Sequence, residues 1–83
     1  MKYIKTKTVS AEYEIKEITG QFLIPLRPAK NMGFDTNQDH FFNEEGSVCV
    51  LVKQYFEVYR DDKLIGETNS ELKAKILIDQ DFI

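Results

Sequence analysis

The segment SVCVLVKQYFEVYRDDKLIGETNSELKAKILIDQ, residues 47–80, carries the most regular patterning of the chain. Val48, Val50, Val52, Phe56 and Val58 share even parity, with only Gln54 out of pattern. Cys49, Lys53, Tyr55, Glu57 and Tyr59 occupy the odd positions. A period of two is what a half-buried strand requires, because successive side chains point to opposite faces of a sheet. Arg60, Asp61, Asp62 and Lys63 supply turn chemistry, after which Leu64-Ile65-Gly66-Glu67 is expected to return as a short antiparallel strand. Asn69 and Ser70 offer a side-chain oxygen to cap a helix, with Glu71 near its positive end. Leu72, Ile76 and Leu77 recur at helical spacing and are expected to form its apolar side.

Upstream, residues 8–18 alternate. Val9, Ala11, Tyr13 and Ile15 fall on one face, with Ser10, Glu12, Glu14 and Lys16 on the other. Thr19-Gly20 reads as a turn, and Phe22, Ile24 and Leu26 resume the alternation with Gln21 pointing away. Pro25 has no N–H for a ladder, so this second strand should lie at an edge or end there. From Arg27-Pro28 to Val48 no regular period follows. A short helix over part of that span, capped by Thr36 or Asn37, holding Phe41 and Phe42 and ended by Gly46, is the expectation.

These elements predict an α+β fold in a single domain, residues 1–83. A small antiparallel sheet of about four strands is built from two hairpins, about residues 3–26 and 48–67. One C-terminal helix packs on a face of it through Leu72, Ile76 and Leu77, and a long acidic loop joins the hairpins. Tyr13, Ile15, Val50, Val52, Phe56 and Val58 are expected to complete the core with those three helix residues. An all-β arrangement with residues 75–78 as a fifth strand competes, because Ile76-Leu77-Ile78 is too short a run to settle by period.

Eighty-three residues, 42% apolar with ten aromatics, suffice for a core but leave little room for a deep cleft beside it, which favours a binding module over an enzyme. One cysteine excludes an internal disulfide, and Cys49 sits in the most apolar run, as a core or near-core side chain would. The N-terminal residues lack the apolar stretch of a signal peptide and nothing approaches a membrane span, so the cytoplasm is the expected location.

Charge is distributed unevenly around a net −3. Residues 1–30 carry six Lys/Arg (Lys2, Lys5, Lys7, Lys16, Arg27, Lys30) against three Glu. Residues 31–47 carry four acids, Asp35, Asp39, Glu44 and Glu45, and no basic residue. A nucleic-acid binder needs its basic residues gathered on one face, whereas lysines scattered along a strand keep an edge soluble. Tyr55 and Tyr59 flank Glu57, which works against a positive stacking groove for single strands.

Catalytic and metal chemistry find no anchor. Residues 35–39 place oxygens at alternate positions as a calcium loop does, but the Gly and bidentate Glu such a loop needs are replaced by His40 and Gly46. His40, the only histidine, has acids nearby but no ligand spacing that enforces convergence. The serines bear no relation to it, and the four glycines never cluster into a phosphate loop, so neither a catalytic residue, a metal nor a cofactor is expected.

What remains is a small non-catalytic domain that binds another protein with a basic surface, as an inhibitor or adaptor of the phage or mobile-element kind. Its contact residues are expected in the acidic loop 31–47: Asp35, Asp39, His40, Phe41, Phe42, Glu44 and Glu45. The alternatives are a nucleic-acid-binding module using the basic N-terminal third, and a homodimer completed across an edge strand.

Overall fold

The computed structural model describes the backbone of residues 2–6 and 10–82 and the side chains of residues 11–82. Its organising element is the long strand β4 (Val48–Arg60), preceded by β1 (Lys2–Thr6), β2 (Ser10–Pro25), helix α1 (Leu26–Met32) and β3 (Phe41–Phe42), and followed by β5 (Lys63–Thr68) and helix α2 (Glu71–Phe82). The sheet is antiparallel and runs β1-β2-β4, with the far side of β4 shared by two short strands. There β3 pairs with Val48 and Cys49, and β5 pairs from Phe56 to Arg60. The sheet is therefore four strands wide, and with its two helices the fold is α+β.

The expected turn at Thr19-Gly20 is absent. β2 continues through it, and the register against β4 shifts between Thr19 and Phe22, so Gly20 and Gln21 together oppose Lys53. Gly20 absorbs this bulge with φ 150°, a conformation that L side chains rarely adopt. The first hairpin is accordingly β1–β2, and β2 is an interior strand rather than an edge. Val9 and the connection through residues 7–9 lie outside the described residues. Pro25 does end β2, as its missing N–H requires.

The long connection is not the structure expected of it. The helix lies upstream, at Leu26–Met32, with Pro25 as its N-cap and Pro28 in its first turn, where a missing N–H costs nothing. Gly33, at φ 99°, ends it in a Schellman motif: its N–H donates to the Lys30 carbonyl at 3.0 Å and that of Phe34 to the Ala29 carbonyl at 3.0 Å. Neither Thr36 nor Asn37 caps a helix. Phe41 and Phe42 are extended, and Gly46 stands in the turn after them rather than past a helix end.

The second hairpin matches expectation. Asp61 and Asp62 both take positive φ, 48° and 67°, making the two-residue turn whose twist suits a hairpin. Asp61 also grips β2, its N–H donating to the Glu12 carbonyl at 2.8 Å and its Oδ1 accepting from the Glu12 N–H at 3.1 Å. Ser70 caps α2, its Oγ accepting from the Lys73 N–H at 3.2 Å. Residues 75–78 are helical, which overturns the all-β alternative.

The buried side of α2 is a correction. Leu72 is 69% exposed and Ile76 46%, while Ala74 and Ile78 are buried and Leu77 and Phe82 pack beside them. At 100° per residue, Leu72 and Ile76 share one narrow arc and Ala74, Leu77, Ile78 and Phe82 a wider one, and the wider arc won the sheet. One core cluster joins Ala74 and Ile78 to Ala11, Tyr13, Ile15 and Val58, with Phe56 half-buried against it. A second joins Ala29 of α1 to Val50 and Val52. Of the sheet side chains expected to complete the core, only Phe56 falls short of full burial. The buried Tyr13 hydroxyl donates to Asp81 Oδ2 at 2.7 Å, and Arg60 Nη1 donates to the same oxygen at 3.1 Å, tying the end of α2 to the sheet.

No helix among the described residues is long and apolar enough to cross a membrane.

Candidate functional site

After Gly33 the chain turns Phe34 into the second core cluster and then leaves the body of the domain. Residues 35–40 are held by their own polar groups. Asp35 Oδ1 accepts from the Asn37 N–H at 2.8 Å, Gln38 Nε2 donates to the Asp35 carbonyl at 2.6 Å, and His40 Nε2 lies 2.9 Å from the Thr36 carbonyl. This is the turn chemistry of Asp and Asn side chains bonding nearby backbone. The Asp35 carboxylate and His40 ring are thus engaged within the loop, and both residues are exposed, as is Asp39. Among the described residues, no three of His, Cys, Asp and Glu gather as a metal-binding group.

β3 then returns to the sheet edge, Phe41 opposite Cys49 and Phe42 opposite Val48. Consecutive strand residues face opposite ways, so the two phenylalanines cannot share one pocket. Phe41 is 43% exposed and Phe42 71%. The turn to β4 is wound around Asn43. Its Oδ1 accepts from the N–H groups of Glu45 and Ser47 at 3.0 and 2.9 Å, and its own N–H donates to the Ser47 carbonyl at 3.1 Å. Gly46 closes the turn at φ 80°. Glu44 and Glu45 stand exposed at its tip. Phe41, Phe42, Glu44 and Glu45 therefore share one tight hairpin, while Asp35, Asp39 and His40 belong to the loop leading into it.

Residues not anticipated from the sequence join this hairpin from the sheet. Leu23 opposes Leu51, and Pro25 opposes Cys49, which also opposes Phe41. The available signal was parity: once Phe22 and Ile24 are assigned inward, an apolar Leu23 between them must point the other way. Cys49 is fully buried at this end, its Sγ donating to the Ser47 carbonyl at 3.4 Å.

At the other end of the sheet, Tyr59 donates its hydroxyl to Glu57 Oε1 at 3.0 Å, and the Lys16 ammonium lies 4.6 Å from the Tyr59 ring centre. The hydrogen bond to Glu57, then desolvation, raises the Tyr59 phenol above its usual range; burial, then Glu57 and Glu67, raises that of Tyr55. Lys16 is also 3.9 Å from Glu14, and Arg27 and Lys30 are exposed on α1. The side chains of Lys2, Lys5 and Lys7 lie outside the described residues. Shallow depressions occur beside α1, lined by Arg27, Pro28, Asn31, Met32 and Glu67, and under α2, lined by Ile15, Glu17, Phe56 and Glu71.

The sheet order, the two helices and the exposed β3–β4 hairpin define the class of the molecule as a small α+β domain with an antiparallel sheet. No protein-family model matches the chain, and neither a curated protein nor a solved structure does.

Proposed function

We propose that this chain is a small non-catalytic domain that binds another protein, acting as an inhibitor or adaptor through the acidic segment 31–47, with the cytoplasm as its place of action. The observation that carries the reading is the β3–β4 hairpin, where a 71%-exposed Phe42 and the exposed pair Glu44 and Glu45 stand on a turn closed by Asn43. A large exposed aromatic beside fixed charge, on a rigid turn, is the arrangement of an interface anchor with a polar rim. Four acids with no basic residue across residues 31–47 select a basic partner surface. Support for this reading over the nucleic-acid alternative comes from the tyrosine face, where Glu14, Glu57 and Glu67 lie beside the rings.

The test is affinity capture from the native host with the wild-type chain and with a folded variant carrying Phe42→Ala, Glu44→Lys and Glu45→Lys. A partner retained by the first and lost by the second is the expected result. Equal retention by both would remove this hairpin from the interface.

A further inference from the structure

We infer that the contact surface extends from the acidic hairpin onto the sheet face opposite α1, where Leu23, Pro25, Phe41 and Leu51 receive an apolar segment of the partner whose flanks are basic. This rests on the protein-binding reading above and names the part of the surface that supplies most of its affinity.

The argument begins with register. Residues directly opposed in an antiparallel pair carry their side chains on one face, so Leu23 with Leu51, and Pro25 with Cys49 and Phe41, share a face. Val50 and Val52 alternate with them and pack against Ala29 of α1, with Ile24 joining the same cluster, which places α1 on the reverse side. Leu23 is left 42% exposed and Phe41 43%, with Leu51 and Pro25 half-buried between them. Four adjoining apolar side chains around the buried Cys49, on the face away from α1, form a contiguous patch, where scattered single exposures would need no explanation.

Charge selects the occupant. One end of the patch is bounded by the hairpin tip with Glu44 and Glu45, and the next outward position on β4 past Leu51 is Lys53. Residues 31–47 hold four acids and no basic residue, so the acidic end of the patch has no counter-charge within its own segment. A partner with leucine- or aromatic-type side chains beside Lys or Arg satisfies the patch and its acidic end.

The experiment titrates the isotopically labelled chain with a short alternating Leu–Lys peptide, following amide chemical shifts. An alternating Ser–Lys peptide and an alternating Leu–Glu peptide serve as probes lacking one of the two properties. The expected result is binding of the Leu–Lys peptide with shifts concentrated at residues 21–24, 41–45 and 49–53. Each control should bind about ten-fold more weakly or worse. Leu23→Ser and Phe41→Ser should each weaken the Leu–Lys peptide by about ten-fold while the rest of the spectrum stays dispersed. Leu23→Lys, which keeps an aliphatic stem but repels the probe, gives the same answer should a serine variant unfold. Equal binding of the Ser–Lys peptide, shifts centred on Leu72 and Ile76, or no binding of the Leu–Lys peptide would overturn the inference. So would sedimentation showing a dimer that Leu23→Ser dissociates, because the occupant would then be a second copy. If the Glu44→Lys, Glu45→Lys variant loses binding while Leu23→Ser and Phe41→Ser retain it, the hairpin reading stands and the sheet face fails. If none of these substitutions matters, both fail.

Discussion

Asn69 closes the C-terminus of α1 on Gly33: its Nδ2 donates to the Gly33 carbonyl at 2.9 Å, and its backbone N–H donates to the neighbouring Met32 carbonyl at 2.9 Å. A helix leaves its last carbonyls without intrahelical partners. Here a residue just ahead of α2 supplies two of the missing donors, so the two helices are joined end to start. Asn69→Ala is expected to cost about 1 kcal/mol, since the carboxamide Oδ1 it also removes is buried without a hydrogen-bond partner among the described residues. Asn69→Asp should cost more, because it turns a carboxylate toward carbonyls and supplies no donor. Gly33→Ala should cost more than Asn69→Ala: φ is 99°, and an added Cβ would meet the Lys73 ammonium and the Asn69 carboxamide. Urea midpoints at constant slope rank the three.

Ile78→Ala is expected to destabilise the domain by about 2–4 kcal/mol, the range for truncating a buried aliphatic side chain. Leu72→Ala, about a third of a turn around the helix axis from Ile78 and 69% exposed, should change stability by no more than about 0.5 kcal/mol. Chemical denaturation of both variants checks the phase of α2, and the opposite ranking would reverse it.

Alkaline pH should loosen the tie between sheet and helix. Burial, reinforced by the hydrogen bond to Asp81, pushes the Tyr13 phenol from 10.0 up to about 12, with Arg60 pulling weakly the other way. Between those values the unfolded chain releases a proton that the native state keeps, so stability is full below pH 10 and is lost as pH rises toward 12. In Tyr13→Phe the slope over that window should shrink, leaving the part due to Tyr55 and Tyr59, whose phenols are also raised. Urea unfolding across the window measures the difference between the two slopes.

The β4–β5 turn holds two aspartates in a conformation that glycine adopts more cheaply. Asp61 has a second role in gripping Glu12, whereas the Asp62 side chain, at φ 67°, makes no hydrogen bond or ion pair among the described residues. Asp62→Gly is expected to raise stability by about 0.5–1 kcal/mol, seen as a Tm higher by a few degrees, and a β-branched Asp62→Val to lower it.

Glu44→Lys with Glu45→Lys should leave the melting temperature unchanged, because both side chains are exposed and the turn is held by Asn43. Once a partner is in hand, the same pair should slow association, with an effect that shrinks as salt rises. Phe42→Ala should instead shorten the lifetime of the complex. Stopped-flow association at two salt concentrations separates the two contributions.

Particular residues decide how much of this was legible beforehand. The parity of Val48 to Val58 and the Asp61-Asp62 turn fixed the second hairpin, since a single period and one turn chemistry had no competitor there. Ser70 announced α2, but its apolar residues point two ways, and only contact with Tyr13 and Val58 shows that Ala74 and Ile78 face inward. Gly20 carries the same local signal for a bulge as for a turn; the long ladder between β2 and β4 decides which. α1 is seven residues long, too short for periodicity to register, although Pro28 near its start and Gly33 past its end are the punctuation of a helix. Within the proposed surface, the loop acids and phenylalanines were visible as composition. Leu23 and Leu51 were not, because their meaning depends on a cross-strand register that no single segment contains.

The central position of β4 has a consequence for the order in which this chain is made. A ribosome delivers residues 2–25 long before residue 48, and until then β2 has only β1 to pair with, a two-stranded ribbon of marginal standing in water. The ladder from Tyr13 with Arg60 to Pro25 with Cys49 forms only when the later half emerges, and each of its rungs closes a long loop. Nascent chains halted before β4 should therefore be protease-sensitive and bound by chaperones, and addition of residues 48–83 should convert them to the native state in one late step rather than piece by piece.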